Sequence, residues 1–170
     1  ICDPLVTQCR VVAVQNGIVE NYSELRRELL AKGFTFTSET DAECIPQLIE
    51  MYTSQGMDLV DAMRETATRL RGANAIVAMS LDEPGRLVAL RLGHAGGLLV
   101  GLGDKEVVVA SDLAAILPHT RSIFHLEERQ IAIVTTNGAS FIDLQGAEIF
   151  KEPSIALSDP SSAAKGNYEH

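Results

Sequence analysis

Two kinds of local pattern divide this sequence, and the division constrains the fold more than any other feature. The first half holds a short apolar strand followed by segments in which apolar residues recur at helical spacing. The second half consists of short β-branched runs separated by Gly, Pro, Asp and Asn turn residues. Helices grouped early and hairpins grouped late are typical of α+β domains, whereas parallel sheets alternate the two. We therefore predict an α+β fold in which helices cover antiparallel sheets.

Three polar residues, Asn21, Thr40 and Asp58, are the predicted N-caps of three helices. Glu24 and Glu43 lie three residues after the first two caps, which completes a capping-box pattern at each. The first helix is expected to span residues 22–32, and the third is expected to run to about residue 70.

The remaining chain predicts strands and turns. Asn16-Gly17 and Asn137-Gly138 are dipeptides typical of tight turns, and residues 112–117 predict a short helical segment. The predicted strands are Val11–Val14, Phe34–Thr37, Ala75–Leu81, Arg86–Leu92, Leu98–Leu102, Val107–Ala110, Ser122–Leu126, Gln130–Thr135 and Ser140–Asp143.

Composition excludes several classes of partner. The 170 residues include 14 basic and 23 acidic side chains, and the net charge of −9 disfavours binding to nucleic acid or to an anionic membrane. No apolar run reaches the roughly 18 residues that a membrane span requires. Three cysteines are an odd set that does not suggest a disulfide framework, so we predict reduced thiols and a cytoplasmic protein.

No metal or cofactor is predicted. Cys2 and Cys9 are too far apart for a zinc site, and the four histidines are dispersed. The glycines between residues 93 and 103 match neither the dinucleotide fingerprint nor the P-loop, and tight turns explain them better. Ser111-Asp112 and the nearby His119 could suggest a hydrolytic triad, but no nucleophile-elbow sequence accompanies them.

Asn16, Gly17 and Asp41 allow two interpretations. A strand end that offers an amide side chain and a flexible backbone N–H can form an oxyanion hole, and a carboxylate at a helix start can hold a ligand ammonium. By local pattern alone, a plain turn and part of a helix cap are favoured.

A resemblance changes that balance. The segment Asn16-Gly17-Ile18-Val19-Glu20-Asn21 is similar to the NGIxEN signature of the class II glutamine amidotransferases. Within this class the chain most resembles the glutamine–fructose-6-phosphate aminotransferase (glucosamine-6-phosphate synthase) family, over about residues 10 to 170. Further matching segments follow in the same order: 38–43 (SETDAE), 70–73 (LRGA), 109–112 (VASD), 126–128 (LEE) and 165–170 (KGNYEH).

The resemblance implies an N-terminal-nucleophile hydrolase fold, a four-layer αββα sandwich with antiparallel sheets, here incomplete at the N-terminus. It implies release of ammonia from glutamine through a cysteine thioester. Asn16 would be the side-chain oxyanion donor, Gly17 the backbone donor, and Asp41 the carboxylate that binds the α-ammonium of glutamine. Fructose 6-phosphate would be a partner only through a C-terminal half outside this chain, and the parent enzyme would be a homodimer.

Departures from the family pattern concern the nucleophile. In the family it is the first residue of the mature chain, in a CGIVG context, and no such segment is present. Cys2, in the sequence Ile-Cys-Asp-Pro, is not expected to replace it, and neither are Cys9 and Cys44. A HTRWATHG-like loop is also absent, and Gln15 stands where the family commonly has His.

We therefore expect a fragment truncated at both ends and inactive alone. Residues 1–151 would be a partial glutaminase domain, and residues 152–170 a linker toward a missing sugar-isomerase domain. A fragment is favoured over a degenerate homologue that serves as a non-catalytic glutamine-binding or scaffold domain. Another class II member, such as a phosphoribosyl amidotransferase, is the second alternative.

Overall fold

The computed structural model describes residues 10–156, which form two antiparallel sheets and four helices. Cys2, Cys9, the predicted linker composition at 158–162 and the segment 165–170 lie outside the described residues. The strands are β1 (Val11–Gly17), β2 (Asn74–Ser80), β3 (Arg86–Leu92), β4 (Leu99–Leu102), β5 (Val107–Ala110), β6 (Ser122–His125), β7 (Gln130–Thr135), β8 (Gly138–Asp143) and β9 (Ser154–Ile155).

The two sheets differ in size. The first has the strand order β1-β2-β3-β7-β8, and the second has the order β5-β4-β6-β9. All neighbouring strands are antiparallel. Both β1 and β5 are edge strands within the part of the chain that is described.

Helices lie on the outer face of each sheet. The helices are α1 (Tyr22–Ala31), α2 (Cys44–Thr53), α3 (Leu59–Arg69) and α4 (Leu113–Ile116), and a 3₁₀ turn at Asp41–Glu43 precedes α2. The first three cover the first sheet, and the short α4 packs against β5 of the second sheet. The order helix, sheet, sheet, helix is the predicted αββα sandwich.

Three apolar clusters hold these layers together, because each sheet has two faces to bury. One joins the first sheet to α1–α3, the second fills the space between the sheets, and the third lies between the second sheet and α4. Representative buried members are, in that order, Leu29, Ile45, Leu48, Met63, Ile76 and Leu90; Ala89, Val100, Phe124, Leu126, Ala132 and Phe141; Leu99, Ile116, Leu117 and Ile123.

Of the predicted capping residues, Asp58 forms its cap bond and Asn21 does not. Asp58 caps α3 as expected, since its carboxylate accepts a 2.8 Å hydrogen bond from the backbone N–H of Asp61. Asn21 precedes α1 but makes no side-chain cap bond. Its amide instead donates to the carbonyl of Arg69 and accepts from the N–H of Arg71, which ties the start of α1 to the end of α3.

Two local predictions were wrong. Residues 34–37 form no strand, because side chains satisfy their backbone groups: Gln47 donates to the carbonyl of Thr35, and Glu43 accepts from the N–H of Thr37. Asn16-Gly17 is not a turn, because both residues continue β1 and pair with Ala75 and Asn74 of β2.

The described fold extends slightly beyond residue 151. β9 pairs with β6, and the N–H of the buried Ala156 donates to the carbonyl of Arg121. Among residues 10–156, no helix is both long and apolar enough to cross a membrane.

Candidate functional site at the end of β1

The last two residues of β1 each have one polar group that takes no part in pairing with β2: the side-chain amide of Asn16 and the backbone N–H of Gly17. Ile18 N donates to Ala73 O at 3.2 Å, and Glu20 N donates to Arg71 O at 3.0 Å. Bonding residues alternate along an antiparallel ladder, so the even-numbered residues of β1 face β2. The N–H of Gly17 therefore points away from β2, toward the side of β1 that has no neighbouring strand among residues 10–156.

Gly17 is suited to this position by its lack of a side chain. Its φ of +143° lies in a region that other residues rarely adopt. A Cβ atom there would overlap the carbonyl oxygen of Ala73, the residue just before β2. Only glycine lets the two backbones approach this closely while leaving the N–H outward.

The amide of Asn16 faces a cavity between the edges of the two sheets. The cavity has a volume of about 340 Å³ and is lined by Val14, Gln15, Asn16, Ala75, Val77, Leu98, Val109, Ala110 and Ser111. A few polar groups among apolar walls are typical of small-molecule sites, and this volume is near the lower end of their usual range. Asn16 and Ser111 are polar lining residues, one at the end of β1 in the first sheet and one just after β5 in the second.

Glycines 96 and 97 allow the loop after β3 to approach this cavity. A Cβ at Gly96 would lie 3.1 Å from Nδ2 of Asn16, and one at Gly97 would lie 3.0 Å from the carbonyl oxygen of Ser111. The sequence predicted tight turns at the glycines between residues 93 and 103, and Gly93 with its φ of +61° fits that prediction. Nothing in the sequence indicated that the loop lies against Asn16.

Asp41 is held beside the end of β1. Its Oδ2 accepts a 2.6 Å hydrogen bond from the N–H of Val19, an outward-facing amide two residues after Gly17. Asp41 does not line the cavity described above; it lies along the same edge of the chain, in the 3₁₀ turn before α2. The fold thus places Asp41 beside the end of β1, bonded to Val19 two residues after Gly17 but outside the cavity that Asn16 lines.

The loop that carries Asp41 is fixed by the buried carboxylate of Glu43, which is 1% exposed. Glu43 accepts from the N–H and hydroxyl groups of both Thr37 and Ser38, at 2.5 to 3.1 Å. Burial alone would raise the pKa of Glu43, but the hydrogen bonds from Ser38 and Thr37 outweigh burial and lower it. Thr40 makes no cap bond, so the predicted capping box does not form. Glu43 instead binds residues 37 and 38 and holds the loop in place.

Cys44 is the one cysteine within the described residues, and it is unsuited to nucleophilic attack. It is 1% exposed, and burial raises the pKa of its thiol to about 11. A nucleophilic cysteine needs a lowered pKa and access to substrate. The expectation that Cys44 is not the nucleophile therefore has a physical basis.

The residues of the disfavoured triad have separate structural roles. Asp112 caps α4 by accepting from the N–H of Ala114 at 2.7 Å. His119 pairs instead with Glu106, with 2.9 Å between Nδ1 and Oε1. Among residues 10–156 no group of three or more His, Cys, Asp or Glu side chains is placed to hold a metal ion.

Comparisons with known proteins identify the fold and the family of this chain. The sequence model of the glutamine amidotransferase domain matches residues 2–118. The fold resembles the glutamine phosphoribosylpyrophosphate amidotransferase from B. subtilis with a TM-score of 0.67 and 22% identity, over 79% of this chain and 29% of that one. At this identity the likeness shows the fold alone, which is the N-terminal-nucleophile hydrolase fold predicted above. The chain belongs to the glutamine amidotransferase domain family.

Sequence relatives narrow the comparison. The glutamine–fructose-6-phosphate aminotransferase (isomerizing) of Clostridium perfringens is 41% identical over 159 residues, which are 94% of this chain and 25% of that protein. The protein of the same name from Agrobacterium fabrum is 41% identical over 160 residues, covering 94% of this chain and 26% of that protein. The chain thus spans about a quarter of the length of these relatives.

Proposed function

We propose that this chain forms the glutamine-binding part of an enzyme that takes ammonia from glutamine and delivers it to fructose 6-phosphate. The observation that carries the proposal is the grouping of three polar features at the end of β1: the Asn16 amide, the outward N–H of Gly17 and the Asp41 carboxylate. The names of the 41% identical relatives support the acceptor.

The proposed chemistry assigns one role to each residue. When a thiolate attacks the side-chain carbonyl of glutamine, the carbonyl oxygen gains negative charge. Asn16 Nδ2–H and Gly17 N–H donate hydrogen bonds to that oxygen, and such donors stabilise the transition state more than the ground state. Asp41 attracts the α-ammonium and fixes the position of the substrate.

The thiol in this mechanism is not Cys44, because Cys44 is buried and its pKa is raised. We propose that it is also neither Cys2 nor Cys9, since neither stands in a CGIVG context. Residues 1–151 would serve as the glutaminase part. Residues 154–156 also bind to the second sheet of this part, next to β6. The chain beyond them would connect to a sugar-isomerising part. The cytoplasm is the proposed location, because three cysteines form an odd set that fits reduced thiols better than a disulfide framework.

The experiment uses the full-length gene product. Purified enzyme should release glutamate from glutamine, and fructose 6-phosphate should increase the rate and yield glucosamine 6-phosphate. Phosphoribosyl pyrophosphate in place of fructose 6-phosphate is the control for the other amidotransferase class. Failure to release glutamate and failure to bind glutamine would together reject the proposal.

A non-catalytic glutamine-binding domain is the second candidate, and the departures from the family pattern around Cys2 and at Gln15 are the observation that favours it. This second candidate predicts that the nuclear magnetic resonance spectrum of an isotope-labelled chain shows chemical-shift changes at Asn16, Gly17 and Asp41 when glutamine is added. It also predicts that the full-length product releases no glutamate. Turnover of glutamine would exclude it.

A further inference from the structure

Asn74, the first residue of β2, is directly opposite Gly17 in the β1–β2 ladder. Its side chain is completely buried, with 0% exposure. A buried amide destabilises the folded state unless its donors and acceptor find partners. The partners of Asn74 therefore indicate what the residue does.

All three partners lie close to the candidate oxyanion pair. Asn74 Nδ2 donates to the carbonyl oxygen of Ile18 at 3.1 Å and to that of Gly72 at 3.2 Å. Its Oδ1 accepts a 2.7 Å hydrogen bond from Nε2 of Gln15. One side chain thus contacts the residue before Asn16 and the residue after Gly17.

We propose that Asn74 is a positioning residue that sets the orientation of the Asn16 and Gly17 donors; the inference rests on the proposed glutaminase function. Gly17 has no side chain, so only its neighbours can fix the direction of its N–H. Asn74 supplies such a restraint from the β2 side by bonding to Gln15 and Ile18, which lie on either side of the pair.

The geometry of an oxyanion hole makes such a restraint matter for rate. Displacement of a catalytic group by about 1 Å can reduce a rate by about 10²-fold. Ground-state binding of glutamine depends mainly on Asp41 in this scheme and is less sensitive to Asn74. Loss of Asn74 is therefore expected to lower kcat with little change in KM.

Asn74→Leu is the informative variant, because leucine branches at Cγ as asparagine does and makes none of the three hydrogen bonds. In the full-length gene product, we expect the kcat for glutamate release to fall about 10- to 100-fold and the KM for glutamine to change less than about threefold. Ser80→Ala is the matched control, since Ser80 is buried at the opposite end of β2, paired with Val11. It should leave kcat unchanged even if the melting temperature falls.

A second comparison separates positioning from general destabilisation. In an Asn16→Ala background, Asn74→Leu should reduce kcat much less than it does in the wild type, because residues that act as a unit are not additive. If Asn74→Leu does not fold, Gln15→Leu removes only the 2.7 Å bond and should give a smaller decrease in kcat.

The outcomes are distinct. Wild-type kcat in a folded Asn74→Leu or Gln15→Leu protein overturns the inference and leaves the proposed function standing. A decrease in kcat that is the same with and without Asn16 also overturns it, because Asn74 would then not act through that residue. A wild-type enzyme that releases no glutamate rejects the proposed function, and this inference with it.

Discussion

The carboxylate of Asp41 and the backbone N–H of Val19 are joined by a 2.6 Å hydrogen bond, although 22 residues separate them in the sequence. This bond ties the loop before α2 to the end of β1. It gives Asp41 a structural role in addition to the proposed binding of the glutamine ammonium, and the two roles can be separated by substitution.

Asp41→Asn keeps an oxygen that can accept from Val19 N–H but removes the negative charge. If Asp41 binds the ammonium, both Asp41→Asn and Asp41→Ala should raise the KM for glutamine at least about tenfold in the full-length enzyme, because a charge-assisted bond contributes roughly 1.5–3 kcal/mol. A normal KM for Asp41→Asn with a raised KM for Asp41→Ala would show that the residue only holds the loop.

Asn16→Ala removes the proposed side-chain donor at the cavity. We expect kcat for glutamate release to fall by on the order of 10²–10³ with a smaller change in KM, as for other oxyanion-hole donors. Ser111→Ala, which removes the hydroxyl group of the polar lining residue just after β5, is the control for changes in polarity. Equal effects of the two substitutions on kcat would contradict a specific donor role for Asn16.

Gly17→Ala tests the close approach of β1 and β2. A Cβ at this position would overlap Ala73 O, whereas a Cβ at Gly33, which also has positive φ, would meet nothing within 4 Å. Gly33→Ala should therefore cost only about 1–2 kcal/mol of backbone strain, and Gly17→Ala should lower the melting temperature by clearly more. Thermal unfolding followed by circular dichroism compares them, and equal shifts would argue against the close approach.

The lowered pKa of Glu43 predicts a pH-dependent contribution to stability. A depressed pKa means that the carboxylate stabilises the fold at pH values above its ordinary pKa of 4.5, and that this contribution is lost as pH falls through the lower, folded-state value. Glu43→Gln should therefore lower the melting temperature at pH 7, and the difference from wild type should shrink toward pH 3. Glu39→Gln, an exposed change in the same loop, is the control. A difference for Glu43→Gln that is constant over this range would contradict the assignment.

Cys44 should be protected from thiol reagents in the folded protein. With a pKa of about 11 the thiolate fraction at pH 8 is about 10⁻³, and burial also blocks access. Iodoacetamide labelling followed by peptide mass spectrometry should find Cys44 unmodified in native protein and modified in guanidinium chloride. Rapid native labelling would show that α2 opens readily.

Much of the fold was predictable because it follows from periodicity. Helical spacing in the first half and alternating runs in the second indicated α+β architecture, and most strand ranges agree with the structure to within a few residues. The cap at Asp58 was also predictable, since its hydrogen bond joins residues only three positions apart.

Predictions failed where distant residues satisfy backbone groups. Phe34–Thr37 alternates like a strand, yet the side chains of Glu43 and Gln47 take its hydrogen bonds. Asn16-Gly17 has the sequence of a turn, yet pairing with Asn74 and Ala75 makes it a strand end. Local propensity is a weak guide in such places, because long-range pairing overrides it.

The sequence by itself determined the layered α+β architecture, the family resemblance and three candidate residues: Asn16, Gly17 and Asp41. Tertiary structure alone decided how these residues are placed. Strand pairing turns the Gly17 N–H away from β2, and the N–H of Val19 donates a hydrogen bond to Asp41. The buried Asn74 bonds to Gln15 and Ile18, on either side of Asn16 and Gly17. The physical reason is that the periodicity of a sequence encodes which face of an element is buried, whereas hydrogen bonds across 22 to 59 residues exist only once the chain has folded.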